Sequence, residues 1–259
     1  MNTLELKLKL RNKTREEQNI ILKDSCKGEK CFVFSCGPSL ISRESFDKYV
    51  LNKDYKIATV KQAFYRMADQ VDFHFFNLCN FTPFQKKTDT VFFASSDMKE
   101  DKARNCVWGD QEIDVVDVVD QAYNCQQMDK TLVNTKDFES AKFDHTITRP
   151  CGPGIMHESV FYHLLHMGFS EIIVNGYDMS SPKTGRNSLP HFYNKEGEVG
   201  GLNFFKNKAA IPFNDEIKNT VESSWDLFQF FQKNKMTLKL VSAESHLDAR
   251  IPRIQLKDL

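Results

Sequence analysis

A helical stretch that leads directly into a buried strand, between residues 155 and 178, constrains the fold more than any other feature. Apolar residues recur at helical spacing over 155–167, and Gly168 stands where a helix C-cap glycine is expected. The β-branched run Glu171–Asn175 is of the kind buried in a parallel sheet, and Gly-Tyr-Asp follows it. Ligands bind at this carboxyl edge in open α/β sheets, so Asp178 either contacts a ligand or caps the following turn.

Strands and helices alternate over most of the chain. Short apolar runs separated by helical or polar stretches are typical of βαβ units. The sequence therefore predicts an α/β fold with a Rossmann-like, mostly parallel sheet flanked by helices. The other predicted strands are residues 30–35, 56–60, 73–76, 91–94, 113–119 and 237–241, and the other predicted helices are residues 43–50 and 215–234.

Composition divides the chain into three kinds of segment. Residues 1–28 are polar, with leucines at every second position before a helical start at Thr14, and we interpret them as an appendage outside the nucleotide-binding fold. Residues 29–259 are enough for one Rossmann-like domain with a full core. Within that domain, residues 180–214 are rich in Gly, Pro, Asn and Lys without a clear period, which predicts a long lid-like loop.

Charge and cysteine content exclude several classes of protein. The 35 Lys and Arg residues balance 35 Asp and Glu residues, so no general field attracts nucleic acid. Seven cysteines without a C-x-x-C pair indicate reduced thiols, and we find neither a signal peptide nor a membrane-spanning run. We therefore expect a cytoplasmic protein. Its 22 phenylalanines allow peripheral contact with the inner face of a membrane, and self-association as a homo-oligomer stays open.

Two glycine-bearing turns are candidates for binding a phosphorylated ligand. Residues 37–39, Gly-Pro-Ser, follow the first strand and precede a helix, which favours ligand contact over a merely tight turn. Gly152 and Gly154 leave the backbone bare at a helix start, where unpaired N–H groups and the helix dipole favour an anion. Arg149 stands beside these glycines, and we expect it to bind the same anion.

Four segments occur in a characteristic order: residues 34–40 (Phe-Ser-Cys-Gly-Pro-Ser-Leu), 75–77 (Phe-Phe-Asn), 149–154 (Arg-Pro-Cys-Gly-Pro-Gly) and 176–178 (Gly-Tyr-Asp). In this order they resemble the motifs of bacterial sialyltransferases of glycosyltransferase family 42, over roughly residues 31–242. The run Leu-Pro-His-Phe-Tyr that ends at Tyr193 resembles the His-Tyr motif of animal sialyltransferases. The resemblance implies an inverting, metal-independent glycosyltransferase without a cofactor. Its donor would be a CMP-activated sialic or related ulosonic acid, and its acceptor an oligosaccharide or glycolipid.

The resemblance also implies roles for individual residues. The first glycine turn would approach the ribose and phosphate of the donor, and the asparagine after the third strand would hold the nucleotide. Tyr193 would donate to the leaving phosphate, Arg149 would stabilise the phosphate charge, and His191 would act there or as the general base. The implied donor-site residues are Gly37, Pro38, Ser39, Lys61, Asn77, Gly152, Gly154 and Asp178.

The chain departs from the family pattern at three places. Ser35 and Cys36 replace a Gly-Asn pair, which removes a polar side chain expected near phosphate. Lys61 stands where the family has an asparagine, and a lysine suits a more highly charged donor such as a nucleoside diphosphate. No histidine lies near residues 211–215, where the relatives carry their general base, so His191 or a carboxylate such as Asp215 replaces it, or the reaction differs.

Two other functions therefore stay open. A pyrophosphokinase resembling the archaeal 6-hydroxymethyl-dihydropterin enzymes shares the Gly-Pro-Ser-Leu motif and would use magnesium and ATP, and Lys61 favours it. A catalytically inactive nucleotide-binding module is the alternative suggested by the missing base.

The remaining histidines and the cysteine of the first turn do not indicate a second site. His157, His163 and His166 do not form the His-Glu-x-x-His pattern of a zinc protease, so we expect ordinary helix residues and no metal. His74 alternates with phenylalanines in a predicted strand and is expected in the core. Cys36 has no basic neighbour in the sequence and is expected to pack rather than react.

Overall fold

The structure, a computed structural model, describes residues 1–76, 89–94, 118–120, 155–179, 213–241 and 245–259. These residues contain seven strands: β1 (Lys30–Phe34), β2 (Lys56–Val60), β3 (Phe73–Phe76), β4 (Val91–Ala94), β5 (Val118–Asp120), β6 (Glu171–Asn175) and β7 (Thr237–Val241). They form one sheet in the order β5-β4-β3-β2-β1-β6-β7, and every neighbouring pair is parallel.

Helices cover both faces of this sheet. They are α1 (Thr3–Leu10), α2 (Arg15–Leu22), α3 (Arg43–Tyr49), α4 (Phe64–Met67), α5, which begins as a π-helix (Met156–Val160) and continues as an α-helix (Phe161–His166), and α6 (Phe213–Lys233). Short 3-10 turns occupy Lys61–Ala63, Ala68–Gln70 and Leu256–Asp258. Within the described ranges, no helix has both the length and the apolar character that a bilayer crossing requires.

The order of the strands places a reversal next to β1. The chain moves outward from β1 to β5 on one side, and then returns to the other side of β1 to form β6 and β7. Phe34 at the end of β1 is therefore in register with Thr59 of β2 on one side and Asn175 of β6 on the other. In open parallel sheets, ligands bind outside the carboxyl ends of the two strands that flank such a reversal.

The hydrophobic core has two layers, one on each face of the sheet. Cys31 and Val33 of β1 belong to a cluster with residues of α1, α2, α5 and α6, whereas Phe32 and Phe34 belong to a second cluster with residues of α3 and α4. Successive side chains of a strand point to opposite faces, so a strand covered on both sides must be apolar throughout. This explains why β1, β4 and β6 are largely apolar runs in the sequence.

The N-terminal segment is part of this core. Leu6 and Leu10 lie one helical turn apart on α1, and both are buried together with Leu22 of α2 in the cluster that contains the sheet. The interpretation of residues 1–28 as an appendage outside the fold is therefore corrected. The physical reason is that a helix turns leucines that alternate in the sequence into two opposite stripes, and one of these stripes packs against the sheet.

The predicted fold class is confirmed, and most element boundaries agree within two residues. β1 ends one residue earlier than predicted, at Phe34, and α6 begins two residues earlier, at Phe213. The predicted strand over residues 113–119 is described only in its last part, as β5. The predicted helix start at Thr14 is confirmed as an N-cap, because its hydroxyl accepts from the Glu17 N–H at 3.2 Å.

Candidate functional site

The turns that follow β1 and β6 are in direct contact at the carboxyl edge of the sheet. The Gly37 N–H donates to the carbonyl oxygen of Gly176 at 2.7 Å, and the Ser35 N–H donates to that of Asn175 at 2.8 Å. A Cβ atom on Gly37 would overlap the Gly176 carbonyl and the Asp178 carboxylate. Glycine is therefore required at position 37 because the two turns approach so closely.

Gly176, in the turn after β6, packs closely against the turn after β1. Its φ of +75° lies in the left-handed region, and a Cβ there would overlap the carbonyl oxygen of Ser35. Each glycine thus makes room for the backbone of the opposite turn. The turns at Gly37 and Gly176, which flank the reversal of strand order, are therefore closely packed against each other.

Asp178 ties the two turns together through its side chain. Its carboxylate accepts from the backbone N–H of Ser39 at 2.8 Å and from the Ser39 hydroxyl, and the side chain is almost fully buried. The carbonyl oxygen of Asp178 also accepts from the His246 N–H at 2.9 Å. Hydrogen bonds to a buried carboxylate are among the stronger ones in proteins. Asp178 therefore positions the Gly37-Pro38-Ser39 turn.

Asn175, the last residue of β6, fixes the same turn and was not a candidate in the sequence. Its Oδ1 accepts from the Ile41 N–H at 2.9 Å, and its Nδ2 donates to the carbonyl oxygens of Ser39 at 3.1 Å and Val241 at 2.9 Å. The side chain is completely buried. An asparagine directly after an apolar strand core is the signal that could have identified it, because a buried amide must find partners.

A second residue missed in the sequence supports the chain just beyond the turn. Arg66 of α4 donates through Nη1 to the carbonyl oxygens of Leu40 at 3.2 Å and Ile41 at 3.0 Å. A guanidinium provides several donors in a rigid fork, so one side chain can hold two neighbouring carbonyls. The backbone after the glycine turn is thereby held from both β6 and α4.

Cys36 packs within this corner, as predicted. Its Sγ donates to the carbonyl oxygen of Val60 at 3.2 Å, and the side chain is buried. Burial raises the pKa of the Cys36 thiol to about 11, because the charged thiolate would lose its hydration. The thiol is therefore protonated near neutral pH and is a packing group between β1 and β2.

Lys61 brings a positive charge to the same edge of the sheet. It is the first residue after β2, the neighbour of β1, and its φ of +51° lies in the left-handed region that non-glycine residues rarely adopt. Such a backbone costs about 1–2 kcal/mol per residue. In the part of the chain that the structure describes, no carboxylate lies within ion-pair distance of the Lys61 ammonium. Residues with a strained backbone cluster at ligand sites, so Lys61 beside the turns is a candidate ligand contact.

The helix α5 begins at this edge as well. Gly168, which follows the carboxyl end of α5, accepts through its carbonyl oxygen from the Gly28 N–H at 2.9 Å, and Gly28 lies just before the start of β1. The carboxyl end of α5 therefore lies at the amino edge of the sheet, and its amino end points toward the carboxyl edge. The predicted C-cap at Gly168 is confirmed by its φ of +83°. Gly152 and Gly154, the predicted phosphate-binding glycines before this helix, lie outside the described residues.

Several other candidates also fall outside the described part of the chain. Asn77 follows β3 directly, and Arg149 precedes the glycines before α5, but the structure describes neither. His191, Tyr193 and the predicted lid, up to residue 212, are likewise not described. The structure therefore brings together Gly37, Pro38, Ser39 and Asp178, places Lys61 one strand away, and leaves the other predicted site residues untested.

His157, His163 and His166 are buried on α5, as ordinary helix residues. Burial lowers the pKa of His157 to about 3, because a charged ring would lose its hydration. The Nδ1 of His163 lies 2.7 Å from the Ser159 carbonyl oxygen, and the Nε2 of His166 lies 2.7 Å from that of Asn19, so each ring donates to the backbone. Among the described residues, no cluster of His, Cys, Asp and Glu side chains could hold a metal ion.

Burial also lowers the pKa of His74 to about 3. Its Nδ1 is 2.8 Å from the Thr59 hydroxyl, and its ring stacks on Phe76 with 5.7 Å between the ring centroids. His74 is therefore a core histidine, as predicted.

Comparison with known proteins leaves the function to be argued from the residues themselves. No protein-family model matches the chain, and the search of curated proteins gives no match. Among solved structures, the sialyltransferase CstII from Campylobacter jejuni, in complex with a substrate analogue, cytidine-5'-monophosphate, is similar. The match covers 90% of this chain and 88% of that chain, with 13% sequence identity and a TM-score of 0.46. A likeness this distant carries no argument about chemistry, so the site of this chain is judged on its own contacts.

Proposed function

We propose that the protein is a glycosyltransferase that binds a nucleotide-activated sugar over the carboxyl ends of β1 and β6. The observation that carries this proposal is the joined pair of glycine turns at the reversal of strand order, held by Asp178 and Asn175. A turn fixed in this way presents backbone to a ligand without having to reorganise when the ligand binds. The sheet edge is the one at which parallel α/β folds bind nucleotides.

Charge at this edge favours a phosphorylated ligand. Lys61 supplies a cation next to the turns, and the amino end of α5 supplies the positive end of a helix dipole at the same edge. Arg149, Gly152 and Gly154 precede this helix and would complete the phosphate site. Fixed positive groups of this kind stabilise the charge that develops on a leaving phosphate.

The reaction proposed is displacement of the nucleotide by an acceptor hydroxyl. The bond between the sugar and the phosphate oxygen breaks, the acceptor oxygen forms the new bond, and its proton passes to a general base. His191 or Asp215 would be that base, and Tyr193 would donate to the departing phosphate. The choice of a CMP-linked sialic or related ulosonic acid as donor, and of an oligosaccharide or glycolipid hydroxyl as acceptor, rests on the sequence motifs.

Calorimetric titration of the full chain with CMP, UDP and GDP tests the donor site. We expect CMP to bind and Arg149→Ala to lose transfer while the fold is retained. If none of the three nucleotides binds, the donor-site assignment is wrong. Binding without hydrolysis or transfer of the corresponding sugar donors would instead support the inactive nucleotide-binding module.

A second candidate function is favoured by Lys61. A cation held in a strained backbone suits a ligand with more than one phosphate group, as in a pyrophosphokinase that acts on a hydroxymethyl pterin. Magnesium-dependent consumption of ATP with a pterin substrate, and no transfer from any sugar nucleotide, would establish this function in place of the first.

A further inference from the structure

The helix α1 is apolar on two opposite faces. Residues two apart on an α-helix are separated by about 200°, so leucines that alternate in the sequence divide between the two sides of the helix. Leu6 and Leu10 are buried against the sheet, whereas Leu4 and Leu8 on the other side are 44% and 59% exposed. Packing in the core explains why Leu6 and Leu10 are apolar, but it does not explain the apolar side chains of Leu4 and Leu8.

The helix α2, which contacts α1, also carries an exposed isoleucine. Ile20 of α2 is 72% exposed, the highest exposure among the large apolar side chains of the described residues. On its own helix it lies away from Asn19 and Leu22, which are buried toward the core. Leu4, Leu8 and Ile20 thus project away from the buried sides of α1 and α2. We call these three side chains the outer patch.

Basic residues predominate along α1, which carries two of the three side chains of the outer patch, whereas the first turn of α2 is acidic. The segment from Thr3 to residue 13 carries four cations and a single carboxylate, Glu5. Lys9 is paired with Glu5 at 2.8 Å, and Lys13 with Glu17 at 3.2 Å, both on the exposed surface. Ion pairs this exposed contribute little in water, so an anionic partner can replace them. The combination of exposed aliphatic side chains with an excess of lysine and arginine is typical of helices that lie on anionic membranes.

We propose that the outer patch docks the protein on an anionic lipid surface, with Leu4, Leu8 and Ile20 in the acyl boundary and the cations of residues 7–13 on the lipid phosphates. A second copy of the chain is a poorer occupant. Three side chains cover far less than the roughly 800 Å² per partner of a stable interface. The proposal does not depend on the proposed function, because it concerns a different surface.

Sedimentation of the full-length chain with lipid vesicles tests the proposal. One set of vesicles contains phosphatidylcholine and phosphatidylglycerol in equal parts, and the other contains phosphatidylcholine alone. We expect binding to the anionic vesicles only, and we expect added salt to weaken it. The double substitution Leu4→Ser/Leu8→Ser should weaken this binding about tenfold or more, since it removes two of the three inserted side chains.

Two matched control substitutions test whether the position of a residue in the outer patch matters, rather than the loss of any exposed leucine or lysine. Leu51 is 38% exposed and lies after α3, so Leu51→Ser removes a similar exposed leucine without affecting vesicle binding. Lys9→Gln should weaken binding severalfold, whereas Lys218→Gln, which removes another exposed lysine paired with a glutamate four residues away, should not. Circular dichroism and urea unfolding confirm that each variant retains the fold.

Three results would overturn the proposal. The first is that the unaltered chain sediments equally with neutral vesicles or with neither kind. The second is that Leu4→Ser/Leu8→Ser binds anionic vesicles as tightly as the unaltered chain. The third is that analytical ultracentrifugation shows a dimer that this substitution separates and the chain binds no vesicles, which would assign the outer patch to a second copy.

Discussion

The carboxylate of Asp178 accepts hydrogen bonds from the backbone N–H and the hydroxyl of Ser39, a residue that stands 139 positions earlier in the chain. This contact joins the turn after the first strand to the turn after the sixth, across the point where the strand order reverses. The geometry of the candidate site therefore depends on a contact that the local sequence does not contain.

Loss of the Asp178 carboxylate should destabilise the protein. Asp178→Ala leaves the Ser39 N–H unpaired in a partly buried position, and we expect the free energy of unfolding to fall by about 1–3 kcal/mol. Urea denaturation measures this change. Asp258→Ala removes an exposed carboxylate and should stay within about 0.5 kcal/mol of the unaltered protein. Equal effects of the two substitutions would show that the contact with Ser39 does not stabilise the fold.

A methyl group at position 37 should be tolerated less well than one at position 28. Gly37→Ala forces a Cβ against the Gly176 carbonyl and the Asp178 carboxylate, so the two turns must separate, at a cost of several kcal/mol. A methyl group on Gly28 would meet open space, but the φ of this residue is +80°, so Gly28→Ala should cost only about 1–2 kcal/mol of strain. Thermal unfolding of both variants compares them, and a smaller loss for Gly37→Ala would contradict the close packing of the turns.

Asn175 should not tolerate an isosteric aspartate. Asn175→Asp replaces the Nδ2 donor with an oxygen that faces the carbonyls of Ser39 and Val241, and it buries a charge, so we expect a loss of at least about 3 kcal/mol. Asn234 also donates through Nδ2, to the Phe230 carbonyl at 2.8 Å, but its side chain is exposed. Asn234→Asp should therefore cost less than about 1 kcal/mol in the same unfolding experiment.

Substitution of Lys61 by glycine should affect stability and nucleotide affinity in opposite directions. Lys61→Gly relieves the left-handed backbone and should raise the free energy of unfolding by up to about 1 kcal/mol, while nucleotide affinity falls about tenfold or more. Lys235 has a φ of +61° and lies beyond α6, so Lys235→Gly should bring the same gain in stability with unchanged affinity. Calorimetry that finds equal nucleotide affinity in the two variants would remove Lys61 from the site.

The buried histidines should make the protein less stable in acid. The pKa of His157 is about 3 in the folded chain, against an ordinary value of 6.5, so the unfolded chain binds the extra proton between these values. The contribution of each such ring to the free energy of unfolding is fully present above about pH 6.5. It falls as the pH drops toward 3, by at most about 1.4 kcal/mol per pH unit. His157→Leu should reduce this slope, whereas Leu51→Ser, an exposed substitution that changes no titratable group, should not. Urea denaturation across this pH range measures the slopes.

The positions of the strands and helices could be predicted because they depend on neighbouring residues. The apolar runs at Lys56–Val60 and Glu171–Asn175 have the length and composition of buried strands, and Gly168 ends a helix for reasons contained in its own backbone. The turn at Gly37 could be located for the same reason. Its partner could not, because nothing near residue 37 specifies which later strand will lie beside β1.

The sequence alone determined that this chain builds a parallel α/β sheet, since the spacing of apolar residues decides which segments can be buried on both faces. Only the tertiary structure decided that β6 lies next to β1, that Asp178 and Asn175 hold the first glycine turn, and that Leu6 and Leu10 join the core while Leu4 and Leu8 face outward. The physical reason is that strand pairing and side-chain partners arise from contacts between distant segments. The local sequence shows that a buried polar group such as the Asn175 amide requires hydrogen-bond partners, and the order of the strands determines which residues those partners are.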